Sequence, residues 1–295
     1  MAGSTLASPT VRAPAALPRA RPFSPGREAW RRFRRHRLAV ASVAILAAMV
    51  LAVLLGPLVW RVPINDIDFT ARLSPPTWAH PFGTDDLGQD LLARMLYGGR
   101  ISLAVGLAAM LVAIFVGVLV GAVAGISRGS VDAGLMWLTD LFLSLPPLPV
   151  LLLVIYLFRE RLKEIAGPEV GVFLLIVVVI GGFRWMPVAR LVRAQFFSLR
   201  EKEFVEAPSA LGPVIVAGTI DVAAAIIAES TLSFLGLGFP PDIPTWGRLL
   251  YDAKDYLDFA PHWALFPGAA IFLAVLTINF IGDGLRDALD PRKVM

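Results

Sequence analysis

The chain contains no cysteine, which excludes disulfides, thiolate metal sites and cysteine nucleophiles. Histidine is nearly as scarce: His36, His80 and His262 lie far apart, and none forms a pair at ligand spacing. That pattern argues against a metal-centred enzyme. The four lysines (Lys163, Lys202, Lys254 and Lys293) all sit outside any glycine-rich context. No G-x-x-x-x-G-K-[ST] phosphate loop, G-x-S-x-G elbow or dinucleotide fingerprint is present. Neither a catalytic residue nor a metal site is read from the chain, and any energy source belongs to another polypeptide or to an ion gradient.

Charge is also thin. Only 17% of the 295 residues are charged, 57% are hydrophobic, and the mean hydropathy is +0.70. A soluble domain of this length breaks its apolar runs far more often. About 20 apolar residues cross a bilayer, and six stretches approach that length: 38–60, 101–126, 134–158, 170–189, 213–239 and 263–282. The predicted fold class is an all-α membrane protein with six transmembrane helices. The fourth stretch is the weakest, because Arg184 interrupts it. A cleaved secretory signal is the rival reading for the N-terminus, but the first run is too long and lacks a cleavage site.

Six crossings put both termini on one side. With the N-terminus inside, and Arg184 snorkelling to that face, the inner segments hold 18 Lys and Arg and the outer segments hold 9. The charge rule therefore predicts an N-in, C-in arrangement. The outer loops are mildly acidic. Residues 1–27, rich in Pro, Ala, Ser and Arg, read as a disordered cytoplasmic tail. Glu28–Arg37 reads as an amphipathic interfacial helix. Trp30 and Phe33 would dip into the interface while the Arg residues meet anionic headgroups. A plain topogenic charge cluster explains the same residues. Nucleic-acid binding does not suit a basic cluster that abuts a span.

Several features inside the spans are singled out. Gly117, Gly121 and Gly125, with Ala113 one turn earlier, form a small-residue stripe suited to close helix packing. Ser144-Leu-Pro-Pro-Leu-Pro149 removes backbone donors and must kink or unwind the third span at Pro146. Such a break borders a translocation pathway or merely serves packing. Four acids lie within or at the ends of spans: Asp140, Asp221, Glu229 and Asp283. Intramembrane acids normally face the bundle or a cavity. Asp140 and Asp221 read as structural residues with interfacial partners, Asp283 as a helix-end or interface residue. Glu229 reads as an inter-helix hydrogen-bonding group in its protonated form, or as a solute contact.

The motifs then become specific. The segment REAWRRFRRHRLAVASVAILAAMVLAVLLGPLV resembles the N-terminal region of the oligopeptide/dipeptide/nickel subfamily of ABC-importer permeases, as does HPFGTDDLGQDLLARMLYGGRISL (80–103). Asp140-Leu-Phe-Leu-Ser-Leu-Pro146 is similar to that family's third-span segment. LVRAQFFSLREKEFVEA (191–207) resembles the approach to its "EAA" coupling loop. AESTLSFLGLGFPPDIPTWGRLL (228–250) and FIGDGLRDALDPR (280–292) resemble its closing signatures.

The resemblance covers about 28–293 and implies a C-type membrane subunit of type I importer permease fold. It implies a first helix over 28–75, an extracytoplasmic segment over 76–100, a permease core over 101–287 and a tail over 288–295. It also implies partners: a second permease forming a heterodimer, two cytoplasmic ATPases that bind ATP and Mg, and an extracytoplasmic solute-binding protein. Coupling to the ATPase falls, by resemblance, to Glu203, Glu206, Ala207 and Gly212. Pathway or intramembrane polar roles fall to Asp140, Pro146, Asp221 and Glu229.

One departure stands out. Glu206-Ala207 is followed at once by Pro208-Ser-Ala-Leu-Gly-Pro213. Against the family pattern about fifteen to twenty residues are absent, four to five helical turns. Either Gly212 is the motif glycine and the second half is lost, or Pro208 is the motif's final proline and the middle is lost. Both readings remove most of a coupling helix and open the alternative of a transport-defective scaffold; separately, Asp221 or Glu229 as a proton relay leaves open an ion-coupled secondary transporter.

Overall fold

The computed structural model describes residues 25–127, 129–200 and 211–289. Ten α-helices account for the described architecture: α1 (Pro25–Phe33), α2 (Arg37–Val59), α3 (Leu91–Ile126), α4 (Ser130–Ser144), α5 (Pro147–Ala166), α6 (Pro168–Gly182), α7 (Trp185–Arg200), α8 (Leu211–Phe234), α9 (Trp246–Ala253) and α10 (Pro261–Leu289). Among the described residues no β-strand forms, and Thr84 and Asp90 make one isolated bridge. Four helices, α2, α3, α8 and α10, are long and apolar enough to span a bilayer. The pairs α4–α5 and α6–α7 bring the number to as many as six if each bent pair is one span.

The bent pairs correct two expected spans. The stretch 134–158 is not one kinked helix. It is two helices meeting at 87°, with Pro146 as the N-cap of α5 and Pro147 at its first position. The run of prolines denies donors to the end of α4, and Pro147 presets the first turn of the new helix. The stretch 170–189 is likewise broken, by 44°, at Phe183-Arg184 between α6 and α7. The fifth span ends at Phe234, before the expected 239. The second begins at Leu91, ten residues before Ile101, so its outer turns lie in the segment read as extracytoplasmic.

α3 is the central post, packing against α7, α8, α6 and α2. Its Gly117–Gly121–Gly125 stripe faces α7. A Cβ on Gly121 would lie 2.5 Å from the Ala189 carbonyl oxygen, and one on Gly117 would lie 2.6 Å from Val188 Cβ. The small-residue stripe is therefore a helix-packing face, since only a bare backbone admits so close a neighbour. Ala113 is fully buried in line with it.

α2 carries Pro57 within its last turns. Proline lacks the N–H that would bond the carbonyl four residues back, that of Val53. Arg100 of α3 supplies the missing donor: its Nε donates to Val53 O at 2.6 Å and its Nη2 to Leu54 O at 2.8 Å. At the opposite end of α2, Phe33 and Ala39 pack on Gly284 and Ala288 of α10. The ends of the described chain thus share one end of the bundle, as an even number of crossings requires. Phe33 is buried and Trp30 is exposed. The two rings that were expected to enter the interface together therefore have different surroundings. Phe33 is a protein-packing residue, because Gly284 leaves room for its ring. Asp283 lies well inside α10 rather than at a helix end.

Replacing Gly121 by Val is expected to prevent the α3–α7 approach, because the clash is with backbone, and overpacking of this kind costs about 1–3 kcal/mol or more. Thermal unfolding in detergent should show a clear drop for Gly121→Val. It should show little change for Gly134→Ala, whose Cβ would meet nothing within 4 Å.

Candidate functional site

The end of the bundle that holds 61–90 and 235–260 is built around the HPFGTDDLGQD segment. Asp90 caps α3 by accepting from Ala93 N at 2.7 Å. The same oxygen accepts from Trp60 Nε1 at 2.9 Å, and His80 Nδ1 lies 2.9 Å from the other oxygen. One carboxylate thereby joins the end of α2 to the start of α3, with negative charge at a helix N-terminus where it is favoured. Gly83 and Gly88 both have φ of +79°. A Cβ on Gly88 would sit 1.8 Å from the Asp68 carbonyl oxygen, so both turns need glycine.

Arg94, one turn into α3, is buried beneath this loop. Its Nη2 donates to Pro241 O at 3.0 Å, its Nη1 donates to Gln89 Oε1, and its Nε lies 3.7 Å from Asp85 Oδ2. Asp85 also accepts from Leu87 N and Gln89 N at 2.9 and 2.8 Å. Burial pushes the Asp85 carboxyl above the usual carboxylate range, and the neighbouring Arg94 charge opposes that. Beside them opens a recess of about 570 Å³, lined among others by Asp86, Asp242, Asp252, Lys254 and Tyr251. The acidic outer loops read from the sequence are thus gathered into one concave surface.

Deeper in the bundle, Glu229 of α8 is fully buried. Ser233 Oγ donates to its Oε1 at 2.7 Å, and Ser102 Oγ of α3 donates to its Oε2 at 3.1 Å. Ser102 accepts from the Trp246 backbone N–H at 3.3 Å. The described contacts of Glu229 are hydrogen bonds from hydroxyls on α3 and on α8 itself. Asp221 of α8 meets Arg184 at the α6–α7 break, where both Nε (2.9 Å) and Nη2 (2.6 Å) donate to Oδ1. Arg184, expected to reach the inner face, is held by Asp221 and stays about a third exposed. The break brings it to an acid that would otherwise be left uncompensated. Neither Asp221 nor Glu229 lines the recess.

Asp140 is half-exposed and pairs with Arg190 Nη2. Asp132, one helical stretch earlier, takes Nε and Nη2 of Arg193, each at 2.6 Å. These pairs tie α4 to α7. Pro146 lies at the corner where α4 turns into α5. Of the expected coupling residues, Glu203, Glu206 and Ala207 lie outside the described residues. Gly212 stands in the first turn of α8, where a Cβ would come within 3.3 Å of Leu289 Cβ. The site residues thus divide among three places and do not converge on one centre. Arg94, Asp85, Asp90, Ser102 and Ser233 were not singled out from the sequence. Arg94 carried a signal, as a charge in the first turn of an apolar helix, and Asp90 as an N-cap residue. The serines carried none.

The bundle has no group of three or more His, Asp or Glu able to hold a metal among the described residues. It offers instead a broken-helix membrane core with a loop-covered end. The N-terminal TM domain of oligopeptide transport permease C matches residues 24–76. The family described as binding-protein-dependent transport system inner membrane component matches residues 117–212 and 207–294.

The chain belongs to this family of transport permeases.

It is 40% identical to the oligopeptide transport system permease protein OppC of Escherichia coli K12 over 290 residues, covering 90% of this chain and 92% of that one. It is 40% identical to a putative peptide permease protein of Brucella suis over 280 residues, covering 88% and 89%. It is 33% identical to the dipeptide transport system permease protein DppC of Alkalihalophilus pseudofirmus over 287 residues, covering 91% and 90%. A permease of this family is a multi-pass membrane subunit of a binding-protein-dependent transport system, and the family is one of transporters rather than enzymes.

Breaking the Arg184–Asp221 pair one partner at a time leaves an uncompensated charge inside the bundle, at about 3–5 kcal/mol for a well-buried pair. Arg184 is about a third exposed, so the lower end applies. The double variant Arg184→Leu with Asp221→Leu is expected to be more stable than either single variant. Unfolding midpoints of the four purified proteins check this.

Proposed function

We propose that this permease is the C-type membrane subunit of an ATP-driven importer for peptides, residing in the cytoplasmic membrane with both termini inside. The observation that carries the reading is the similarity to named oligopeptide and dipeptide permeases along nearly the whole chain. The inward-gathered basic segments, the broken spans α4–α5 and α6–α7, and the lack of a nucleotide site support it. The partners are a second permease, two ATPases that bind ATP and Mg, and an extracytoplasmic solute-binding protein. The solute would be released onto the acidic face and pass along the break at Pro146. Asp140, Asp221 and Glu229 then serve as intramembrane polar anchors. Glu203, Glu206, Ala207 and Gly212 mark the remnant of the ATPase dock.

A second reading is favoured by one observation. The transport-family match breaks into two segments that overlap at 207–212, where the coupling helix is expected. The alignment to the E. coli relative is 290 positions long, while 90% of 295 residues is about 266, so about two dozen positions of that relative have no counterpart here. Loss of the ATPase dock would leave a subunit that assembles but transports poorly.

Both readings are tested by co-expressing the chain with its second permease and ATPases. ATP-dependent uptake of labelled peptides is then measured in vesicles, with and without about twenty residues of the E. coli relative inserted between Ala207 and Pro208. The expected result is intact permease pairing, weak ATPase co-purification and low uptake for the natural chain, with uptake raised at least about tenfold by the insertion. Robust coupled uptake without the insertion would remove the shortened-dock reading. An inserted chain that binds ATPase yet moves no peptide would remove the peptide reading.

A further inference from the structure

The short helix α9 sits at the loop-covered end with its N-terminus inside the bundle. Trp246, its first residue, is buried, and its Nε1 donates to the Met95 carbonyl at 3.2 Å. Gly247 lies against the α8 backbone, where a Cβ would be 2.5 Å from Ser230 Cα. The free amides of a helix N-terminus need acceptors, and here two of them are passed on by hydroxyls. Arg248 N donates to Thr245 Oγ1 at 3.1 Å, Thr245 Oγ1 donates to Ser233 Oγ at 3.4 Å, and Ser233 Oγ donates to Glu229 Oε1 at 2.7 Å. In parallel, Trp246 N donates to Ser102 Oγ at 3.3 Å, and Ser102 Oγ donates to Glu229 Oε2 at 3.1 Å.

Every donor in both chains therefore points the same way. Two consecutive residues of α9's entrance, Thr245 and Trp246, reach the two oxygens of one fully buried carboxylate through separate serines on α3 and α8. Hydrogen bonds in such a chain polarise one another. α9 in turn carries Arg248, which pairs with Asp252 at 2.7 Å, and contributes Tyr251 and Asp252 to the wall of the acidic recess.

We infer that Glu229 is a positioning residue that latches the N-terminus of α9 through two hydroxyl relays, so that the recess wall moves away from the bundle only when both relays break. This goes beyond the assignment of solute and partners and does not depend on either. The latch sits where α3, α8 and α9 meet, so displacement of α3 relative to α8 separates Ser102 from Glu229 and frees one relay. Gln at 229 keeps the shape but turns one acceptor into a donor, which opposes one incoming hydroxyl.

The test uses the natural absence of cysteine. Ala253, buried on α9, is changed to Cys in the full chain, and a membrane-impermeant maleimide is applied to intact cells. Labelling of Ala253→Cys is expected to be slow in the otherwise natural chain and about tenfold faster with Glu229→Gln, in line with loss of one buried hydrogen bond. Thr245→Val and Ser102→Ala should each accelerate it as well. Because each acts through the same carboxylate, either change combined with Glu229→Gln should give less than the product of the single effects. Equal labelling of all variants and the parent would overturn the proposal. So would purely multiplicative effects, which independent packing defects would produce. A second cysteine at Ala288, on the other end of α10, is probed in parallel with a membrane-permeant maleimide and must label alike in every variant. If it does not, the acceleration reports general loosening and the latch is likewise refuted.

Discussion

The fold depends on how closely other backbones can approach α3. In lipid there is little hydrophobic gain from bringing helices together, so association rests on van der Waals contact and interhelical hydrogen bonds. α3 meets that condition on several sides. Its glycine stripe admits α7, Gly106 admits Ile226 of α8, and Gly99 admits both Val53 of α2 and the Trp246 ring. Gly98 lies within about van der Waals reach of the Thr245 backbone. A helix bare on so many faces works as a common axle. Side chains of ordinary size there would separate every neighbour at once.

The second requirement is that polar groups inside this packing be answered. Four described acids of the bundle have partners drawn from another helix or from hydroxyls. Asp221 faces Arg184, Asp132 faces Arg193, Asp140 faces Arg190 and Glu229 faces serines. Breaks in helices serve the same accounting. The bend between α6 and α7 places Arg184 beside Asp221, and the gap made by Pro57 is filled by Arg100. The cost of an unanswered group at low dielectric is what keeps these irregularities in place.

Much of this was legible in the sequence, and the reasons differ by feature. Fold class follows from apolar run length, which the bilayer fixes, and four of the six expected spans are single long helices. The stripe Gly117, Gly121, Gly125 was legible because its spacing matches the helical repeat. The site at α9 was not. Ser102 and Ser233 look like neutral fillers in apolar helices, and their meaning comes from residues 144 and 12 positions away in the chain. The angle at Pro146 was also hidden: proline demands a break, but neighbours decide how far the halves turn. The partner of Arg184 was hidden as well, because only the bend at 183–184 brings it beside Asp221.

The pairing of Pro57 with Arg100 bears on how this permease can be recombined. The first helix belongs to one sequence module, matched at 24–76, and the second helix runs into another, matched from 117. Domain boundaries drawn on such modules would place a seam between them. Yet the defect in one helix is mended by a guanidinium from the other. A chimera that imports a different first helix inherits either an unwanted cation or an unmended carbonyl, unless position 100 travels with it.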